Sequence, residues 1–210
     1  MAPADEGVIA HALDDLAGRS EVLAALIRQH GPYTPRAARQ PHVFRSLAKA
    51  IVYQQLAGKA AASIHRRFTE LVPPPLSASK VLSLEPETIR AAGLSKAKRD
   101  AVLDLAQQVV DGRLDIGELV GLDDEALTRR LCAVRGIGPW TAQMFLLFEL
   151  GRLDVWPTGD LGVRKGFHLA FQRKEVPTAR DLQALGEPFR PYRSIVAWYC
   201  WRILDSSRDR

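Results

Sequence analysis

The sequence predicts an all-α protein, and three observations support this fold class. Apolar residues recur mostly at helical spacing, stretches with the alternation of a strand are scarce, and clusters of Pro and Gly divide the chain into segments of helix length. Of the 210 residues, 47% are hydrophobic and 25% are charged, which is typical of a globular protein with a buried core. We expect one compact unit, 1–210, built from two lobes.

Two strong helical patterns open the chain. The first runs from about Asp14 to His30 and ends at "HGPYTPR", where Gly31 and the prolines break a helix. The second is "VFRSLAKAIVYQQLAGKAAASIHRRFTELV", which ends at the prolines 73–75. Its inward face is formed by four apolar residues, Phe44, Leu47, Ile51 and Val52.

Shorter helical segments follow. Three are predicted at "EPETIRAAG", "SKAKRDAVLDLAQQVVDG" and "DDEALTRRLCAV". A helix from Pro139 to about Leu150 precedes the irregular "GRLDVWPTGD", and two further helices are predicted over 161–171 and 192–204. In the second of the three segments, the basic residues are interpreted as a solvated helix face: Lys96, Lys98 and Arg99.

Charge and cysteine content narrow the class of protein. Lys and Arg outnumber Asp and Glu by 29 to 24, and the net charge of +5 suits a polyanionic partner. Neither Cys132 nor Cys200 has another Cys or a His at metal-ligand spacing, so we expect no metal site and a reducing compartment. The N-terminus has acidic residues and no long apolar run, so we expect a cytoplasmic protein without a membrane partner.

The stretch "VRGIGPWTAQMF", at 134–145, joins a glycine turn to the start of a helix. Gly136 and Gly138 permit a positive φ and a close approach of another backbone, and Pro139 suits the first position of a helix. The amides of such a turn, helped by the helix dipole, can bind a DNA phosphate. The alternative is a turn that only joins two helices. The helical spacing of the surrounding apolar residues favours a packed helical hairpin.

Asp160 stands directly before "LGVRKGF", a pattern typical of a helix N-cap. Taken alone, the pattern favours a cap over a catalytic role, but the two roles are compatible. Asp154, six residues earlier, is assigned a structural or solvent-facing role. Trp156 and Trp198 are interpreted as core residues.

The order of these motifs resembles one known family. From "LAKAIVYQQLAGKAA" through "GLSKAKRDAVLDLA" and the hairpin to "FRPYRSIVAWYCWR", the chain resembles the helix-hairpin-helix DNA glycosylase superfamily, and most of all its alkylbase branch, the 3-methyladenine DNA glycosylase II type. The resemblance implies a central lobe, 41–154, that ends in the helix-hairpin-helix at 125–150, and a second lobe formed by 1–40 with 155–210. It further implies a cleft between the lobes, a monomer, and double-stranded DNA containing alkylated bases as the substrate.

The resemblance also implies roles for particular residues. Asp160 takes the catalytic place, where it stabilises positive charge on the deoxyribose or activates the attacking water. Trp140 stands where members that also cut the DNA backbone carry a lysine, so hydrolysis without lyase activity is expected. Trp140, Trp201 and Met144 are expected to line the base pocket, with core packing as the alternative for the two tryptophans.

DNA contacts are implied around the hairpin, in "VYQQLAG" and just after Asp160. The candidates are Arg135, Gly136, Gly138, Thr141, Gln54, Gln55, Leu56, Arg164 and Lys165. The three from "VYQQLAG" are candidates for filling the space left by a flipped base, and a polar helix end is the alternative interpretation. No cofactor is implied, although hairpin carbonyls could hold a monovalent cation.

Two other functions stay open. A glycosylase for oxidised or mismatched bases is disfavoured, because the chain lacks a cysteine cluster and has Trp140 in place of lysine. A non-catalytic module that binds damaged DNA would keep the hairpin and the basic surface but would have no use for Asp160. The preferred alkylated base is not determined by the sequence.

Overall fold

The computed structural model of the chain describes residues 6–34, 42–56 and 58–208. Every regular element in these ranges is a helix, which confirms the all-α prediction. None of these helices is long and apolar enough to cross a membrane. In chain order they are α1 (Glu6–Arg19), α2 (Glu21–His30), α3 (Val43–Tyr53), α4 (Gly58–Glu70), α5 (Ala78–Leu82), α6 (Pro86–Ala91), α7 (Lys96–Val110), α8 (Ile116–Leu119), α9 (Asp124–Cys132), α10 (Pro139–Phe148), α11 (Leu161–Ala170), α12 (Ala179–Gly186), a 3-10 turn (Glu187–Phe189) and α13 (Arg193–Arg208).

The first helical pattern forms two helices, so the prediction of a single helix up to His30 is wrong. Ser20 separates α1 from α2, and its hydroxyl accepts a hydrogen bond from the Leu23 N–H at 3.4 Å. Serine competes for backbone hydrogen bonds inside a helix and is favoured at the N-cap, which explains why the pattern divides at this residue.

The second pattern also divides, into α3 and α4, around residues 54–56. Gln55 has a φ of 54°, which an α-helix does not accommodate. The helices α5, α8 and α12 were not predicted. Segments of 5 and 4 residues, as in α5 and α8, give too few turns for a clear periodicity. For α12 a signal does exist, since Thr178 and Asp181 form a capping box.

Residues 42–56 and 58–145 belong to the first of two compact units. Within it, α7 packs against α3, α5 and α6, and α3 also packs against α4. Burial of each large apolar side chain contributes about 1.5–3 kcal/mol to stability. Fully buried side chains in this unit include Leu47, Ile51, Phe68, Ile89, Leu105, Leu127 and Leu131.

Residues 6–34 and 146–208 belong to the second unit, so the division falls inside α10. In this unit α11 packs against α13, and α2 contacts both α1 and α13. The two helices α11 and α13 cross closely because Gly166 has no Cβ. A Cβ at this position would lie 1.9 Å from the carbonyl oxygen of Cys200.

Buried polar contacts hold the irregular crossover, 149–160, that links α10 to α11. The Val155 N–H donates to the hydroxyl of Ser194 at 2.9 Å, and Ser194 is fully buried. The guanidinium of Arg193, a residue that is 6% exposed, donates to both oxygens of Asp154, at 2.7 and 3.0 Å. The prediction of a structural role for Asp154 is therefore confirmed.

Of the two tryptophans predicted to lie in the core, Trp156 does so, and Trp198 packs against the core without being fully buried. Trp156 is 4% exposed, and its indole N–H donates to the carbonyl of Leu182 at 2.8 Å. Trp198 is half-buried and meets the ring of Tyr33 edge to face, with the centroids 5.6 Å apart. Together they pack the crossover and α13 into the second unit.

Candidate functional site

The hairpin, 133–138, is a tight turn between α9 and α10. Gly136 has a φ of 77°, and a Cβ at this position would lie 2.8 Å from the Cβ of Ala101 on α7. Conformation and packing therefore both require glycine there. Ile137 is buried, and its N–H donates to the Val134 carbonyl at 3.1 Å, which anchors the turn in the core of the first unit.

The backbone donors of this turn are used in two ways. The Arg135 N–H donates to the carboxylate of Asp104 at 2.8 Å. In contrast, the N–H groups of Gly136 and Gly138 meet no hydrogen-bond acceptor within the described part of the chain. Pro139 starts α10 directly after them, and the dipole of that helix favours an anion. The turn thus offers two donors to an external anion.

Gln54, the residue after α3, fastens the turn from one side. Its side-chain Nε2 donates to the Gly136 carbonyl at 2.9 Å and to the Thr141 hydroxyl at 3.1 Å. Thr141 is only 5% exposed. Both Gln54 and Thr141 were predicted to contact DNA, but the structure places their side chains against each other, in the frame of the hairpin.

Lys98 on α7 holds the same junction from the other side. Its Nζ donates to the carbonyls of Val52 and Gln54, at 2.8 and 2.6 Å, and burial lowers the pKa of this ammonium. The prediction of a solvated helix face is wrong for Lys98. It is also wrong for Arg99, whose side chain is 13% exposed and pairs with Asp100 at 2.7 Å. No local signal marks Lys98, because its partners are 46 and 44 residues away.

The next two residues of this segment are exposed. Gln55 is the residue with the positive φ, and Leu56 presents a large apolar side chain that is 39% exposed. A residue other than glycine is held at positive φ only at some cost in conformational energy, and such residues cluster at functional sites. Of the three candidates for filling the space of a flipped base, Gln55 and Leu56 are the ones at the surface.

A cavity of about 410 Å³ adjoins this segment inside the first unit. Trp140 borders it and is 46% exposed, so core packing is not the role of this indole. The volume falls within the range of sites for small ligands. The lining residues are Ala50, Tyr53, Gln54, Gln55, Leu56, Trp140, Thr141 and Met144.

In the second unit, Asp160 begins α11 as its N-cap, as predicted. Its Oδ1 accepts the Val163 N–H at 2.8 Å and the indole N–H of Trp201 at 3.0 Å. Burial and the Asp160 carboxylate together raise the pKa of the Cys200 thiol. The Cys200 thiol therefore stays protonated and is no candidate nucleophile.

Trp201 is half-buried and packs against one aromatic neighbour. Its ring lies 5.6 Å from the ring of Phe148, with the planes tilted by 34°. Phe148 was not among the predicted site residues. Its only signal is its place as an apolar residue at the end of α10.

The basic candidates for DNA contacts differ in whether their side chains already form contacts within the protein. The Arg164 Nε donates to the carbonyl of Pro177 at 2.7 Å, whereas Lys165 is exposed. The side chain of Arg135 is 66% exposed and lies 3.7 Å from the carboxylate of Asp100. Lys165 and Arg135 are therefore the more accessible cations.

Comparison with known families identifies the superfamily that has these elements. The model of the HhH-GPD superfamily of base excision DNA repair proteins matches residues 48–191, which include the hairpin, the crossover and Asp160. The chain belongs to the HhH-GPD superfamily. DNA-3-methyladenine glycosylase 1 of Schizosaccharomyces pombe is 32% identical over 194 residues, which cover 89% of this chain and 84% of that protein.

Solved structures of superfamily relatives have the same fold. The S. pombe 3-methyladenine DNA glycosylase, in complex with abasic DNA, matches with a TM-score of 0.83 and 30% identity, over 93% of this chain and 97% of that one. The DNA-3-methyladenine glycosidase of Bacillus halodurans matches with a TM-score of 0.85 and 30% identity, over 100% and 94%.

The predicted site residues fall into two groups. The first unit brings the hairpin next to 54–56 and places Trp140 at the same cavity. The second unit joins Asp160 to Trp201 by a hydrogen bond. The superfamily motifs thus supply a turn with two open backbone donors in one unit and a fixed carboxylate in the other.

Proposed function

We propose that this protein is a monofunctional DNA glycosylase that removes alkylated bases from double-stranded DNA and leaves an abasic site, as a step of base excision repair. Its membership of the superfamily and its likeness to DNA-3-methyladenine glycosylases support the substrate class. The proposal rests above all on the Asp160 carboxylate, which two N–H donors hold at the start of α11.

Asp160 acts on the sugar. As the C1′–N bond of an alkylated nucleotide breaks, positive charge develops on the deoxyribose, and a fixed carboxylate stabilises that charge. The base leaves with the bonding electrons, the oxygen of a water molecule bonds to C1′, and the water proton passes to the carboxylate or to solvent. A base alkylated at a ring nitrogen is already cationic, so it departs as a neutral molecule without a general acid.

Trp140 is incompatible with lyase chemistry. Cutting the backbone through a Schiff base requires a primary amine that attacks C1′, and the resembling bifunctional enzymes carry a lysine at this place in the hairpin helix. The nitrogen of an indole belongs to the aromatic system and forms no imine. The product is therefore an intact strand with an abasic site.

The aromatic residues favour a cationic base. Trp140 is exposed at the cavity of the first unit, and the face of an indole attracts a positively charged ring more strongly than a neutral one. Met144 lines the same cavity and Trp201 borders Asp160. We assign Trp140 and Met144 of the first unit, and Trp201 of the second unit, to contacts with the flipped base.

The hairpin binds the DNA backbone without reading its sequence. The N–H groups of Gly136 and Gly138 contact a phosphate, with Arg135 adding charge. Lys165, in the second unit, is a further basic residue for the DNA backbone. Gln55 and Leu56 fill the space that the flipped base leaves. The reaction needs no organic cofactor, and a monovalent cation held by hairpin carbonyls would only strengthen the phosphate contact.

The test compares base release by the wild type and by Asp160→Asn on methylated duplex DNA under single-turnover conditions. Asparagine keeps the N-cap but removes the charge, so binding should persist while release falls by about 10³-fold. Strand cleavage is scored before and after alkali. We expect cleavage only after alkali, because an abasic site without lyase activity leaves the strand intact.

Asp115→Asn is the matched control. Asp115 caps α8 with its Oδ1, which accepts two backbone N–H groups at 2.7 and 3.2 Å, so the same change is made at an equivalent cap elsewhere. This variant should release bases at the wild-type rate. If the wild type binds DNA and releases no base from any methylated substrate, the non-catalytic binding module is the better description.

A further inference from the structure

The carboxylate of Asp160 receives a hydrogen bond from a distant part of the chain. Its Oδ1 accepts the Val163 N–H from its own helix and also the Nε1–H of Trp201, 41 residues further on in α13. An indole has one hydrogen-bond donor. In this protein that donor points at the catalytic carboxylate, so the edge of Trp201 has a role separate from its face.

Gly162 supplies the space for this contact. A Cβ at 162 would lie 2.9 Å from the Asp160 Oδ1, 2.9 Å from Trp201 Cδ1 and 3.0 Å from Trp201 Nε1. Even an alanine would push the indole and the carboxylate apart. Glycine is a weak helix former, so helix propensity does not explain its presence in the first turn of α11.

Two further contacts hold the indole in place. Phe148 packs against its ring at 5.6 Å. The backbone of Cys200, the residue before Trp201, lies so close to α11 that only a glycine fits at 166. The rotation of Trp201 toward Asp160 is thus set by the crossing of α11 and α13.

We propose that Trp201 is a positioning residue for Asp160, whose indole N–H fixes the rotation of the catalytic carboxylate through a contact that Gly162 makes possible. This inference rests on the proposed function. With one oxygen held by two donors, the carboxylate keeps a single orientation toward the sugar, which is the preorganisation that electrostatic catalysis requires.

The test removes the donor in two ways. Trp201→Phe keeps an aromatic ring without an N–H, and replacement of Trp201 by 3-benzothienylalanine keeps the shape of the indole with sulfur in place of the N–H. Gly162→Ala leaves the indole intact and displaces it. We expect all three to slow single-turnover base release by about 10-fold to 100-fold, since a hydrogen bond to a charged group is lost.

Two readouts separate positioning from packing. Affinity for a duplex with an uncleavable abasic analogue should change by less than about 3-fold, because the phosphate contacts remain. The rate of the benzothienyl variant is also compared with that of Trp201→Phe, because the benzothienyl ring keeps the packing of the indole and lacks only its N–H donor. Gly18→Ala, at a helical glycine of α1 with open space around it, is the control and should match the wild type.

The outcomes distinguish this inference from the proposed function. If the wild type releases bases and the benzothienyl variant releases them at the wild-type rate, Trp201 does not position Asp160. A Trp201→Phe variant that is slowed beside a benzothienyl variant at the wild-type rate would assign Trp201 to the pocket wall alone. If the wild type itself releases no base, the proposed function fails first.

Discussion

The starts of α10 and α11 are both helix N-termini, but the protein uses their amides in opposite ways. At α11 the chain supplies its own anion, because Asp160 accepts the Val163 N–H. At α10 the residue before the helix is Gly138, which has no side chain to cap it, and its N–H meets no acceptor in the part of the chain that the structure describes. In the proposed function, the first terminus holds the carboxylate that acts on the sugar and the second is open to a phosphate.

The contacts around the two helix termini also differ, because those at α11 reach the carboxylate and those at α10 leave the amides open. Contacts around Asp160 converge on the carboxylate itself, from Val163 and Trp201. Contacts around the hairpin avoid its open amides and hold its frame, through Gln54 on the Gly136 carbonyl. This difference fits the proposed function, in which the chain preorganises the carboxylate, whereas the hairpin donors form their hydrogen bonds only when a phosphate arrives.

The largest loss of DNA affinity is expected when the hairpin is given an anion of its own, as α11 has. Gly138→Asp places a carboxylate where Asp160 stands in α11, and a Cβ at 138 meets nothing within 4 Å. The carboxylate would occupy the open donors and repel the DNA phosphate, so we expect affinity for duplex DNA to fall by about 100-fold. Equilibrium binding by fluorescence anisotropy measures the change.

Gly138→Ala is the paired control, because it adds the same Cβ without the charge. We expect it to bind DNA within about 3-fold of the wild type, since backbone donors are kept. Equal losses in the aspartate and alanine variants would mean that the open amides of the hairpin do not bind the phosphate.

Loosening the frame of the hairpin should have an intermediate effect. Gln54→Ala removes the donors to the Gly136 carbonyl and the Thr141 hydroxyl, so we expect a loss of about 1–2 kcal/mol in the free energy of unfolding. DNA affinity should fall by about 5-fold to 10-fold, because the turn is no longer held in its binding geometry.

Gln183→Ala is the matched control, because it removes a glutamine side chain away from the hairpin. Gln183 is exposed on α12, where it contacts only Glu187 among the described residues, and its loss should change the free energy of unfolding by less than about 0.5 kcal/mol. Chemical denaturation of both variants makes the comparison. A Gln54→Ala protein as stable as the Gln183→Ala protein would show that the junction does not depend on this side chain.

The smallest effect on DNA affinity is expected from removing the exposed positive charge of Arg135 in the hairpin. Arg135→Ala should weaken DNA binding by about 2-fold to 5-fold and lower the slope of log K against log salt by about one, because one phosphate contact is lost. Arg66→Ala, at an exposed arginine of α4 paired with Glu70, is the control and should leave the slope unchanged. An unchanged slope for Arg135→Ala would remove this residue from the DNA contact.

The two helix termini were predictable from the sequence because their signals are local. An aspartate directly before an apolar helix and a Gly-x-Gly-Pro turn each fix their geometry within a few residues. The break at Gln55 was missed because the helical pattern continues on both sides of it, and only the positive φ reveals the turn.

The supporting contacts could not be predicted in this way. Lys98 reaches carbonyls 44 and 46 residues away, and Trp201 reaches Asp160 across 41 residues. No pattern in either segment records such a contact, because the packing of α7 on α3 and of α13 on α11 creates it. What a sequence of this kind predicts best is therefore a local cap or turn, and what it predicts least are the distant contacts that hold them.

The central claim is that the negative charge of the Asp160 carboxylate stabilises the positive charge that develops on the deoxyribose. The most direct measurement is the single-turnover rate of methylated-base release from duplex DNA by Asp160→Asn, with DNA affinity measured on the same preparation and Asp115→Asn as the control. We predict a rate about 10³-fold below that of the wild type with affinity preserved. An Asp160→Asn protein that releases bases at the wild-type rate would contradict the claim.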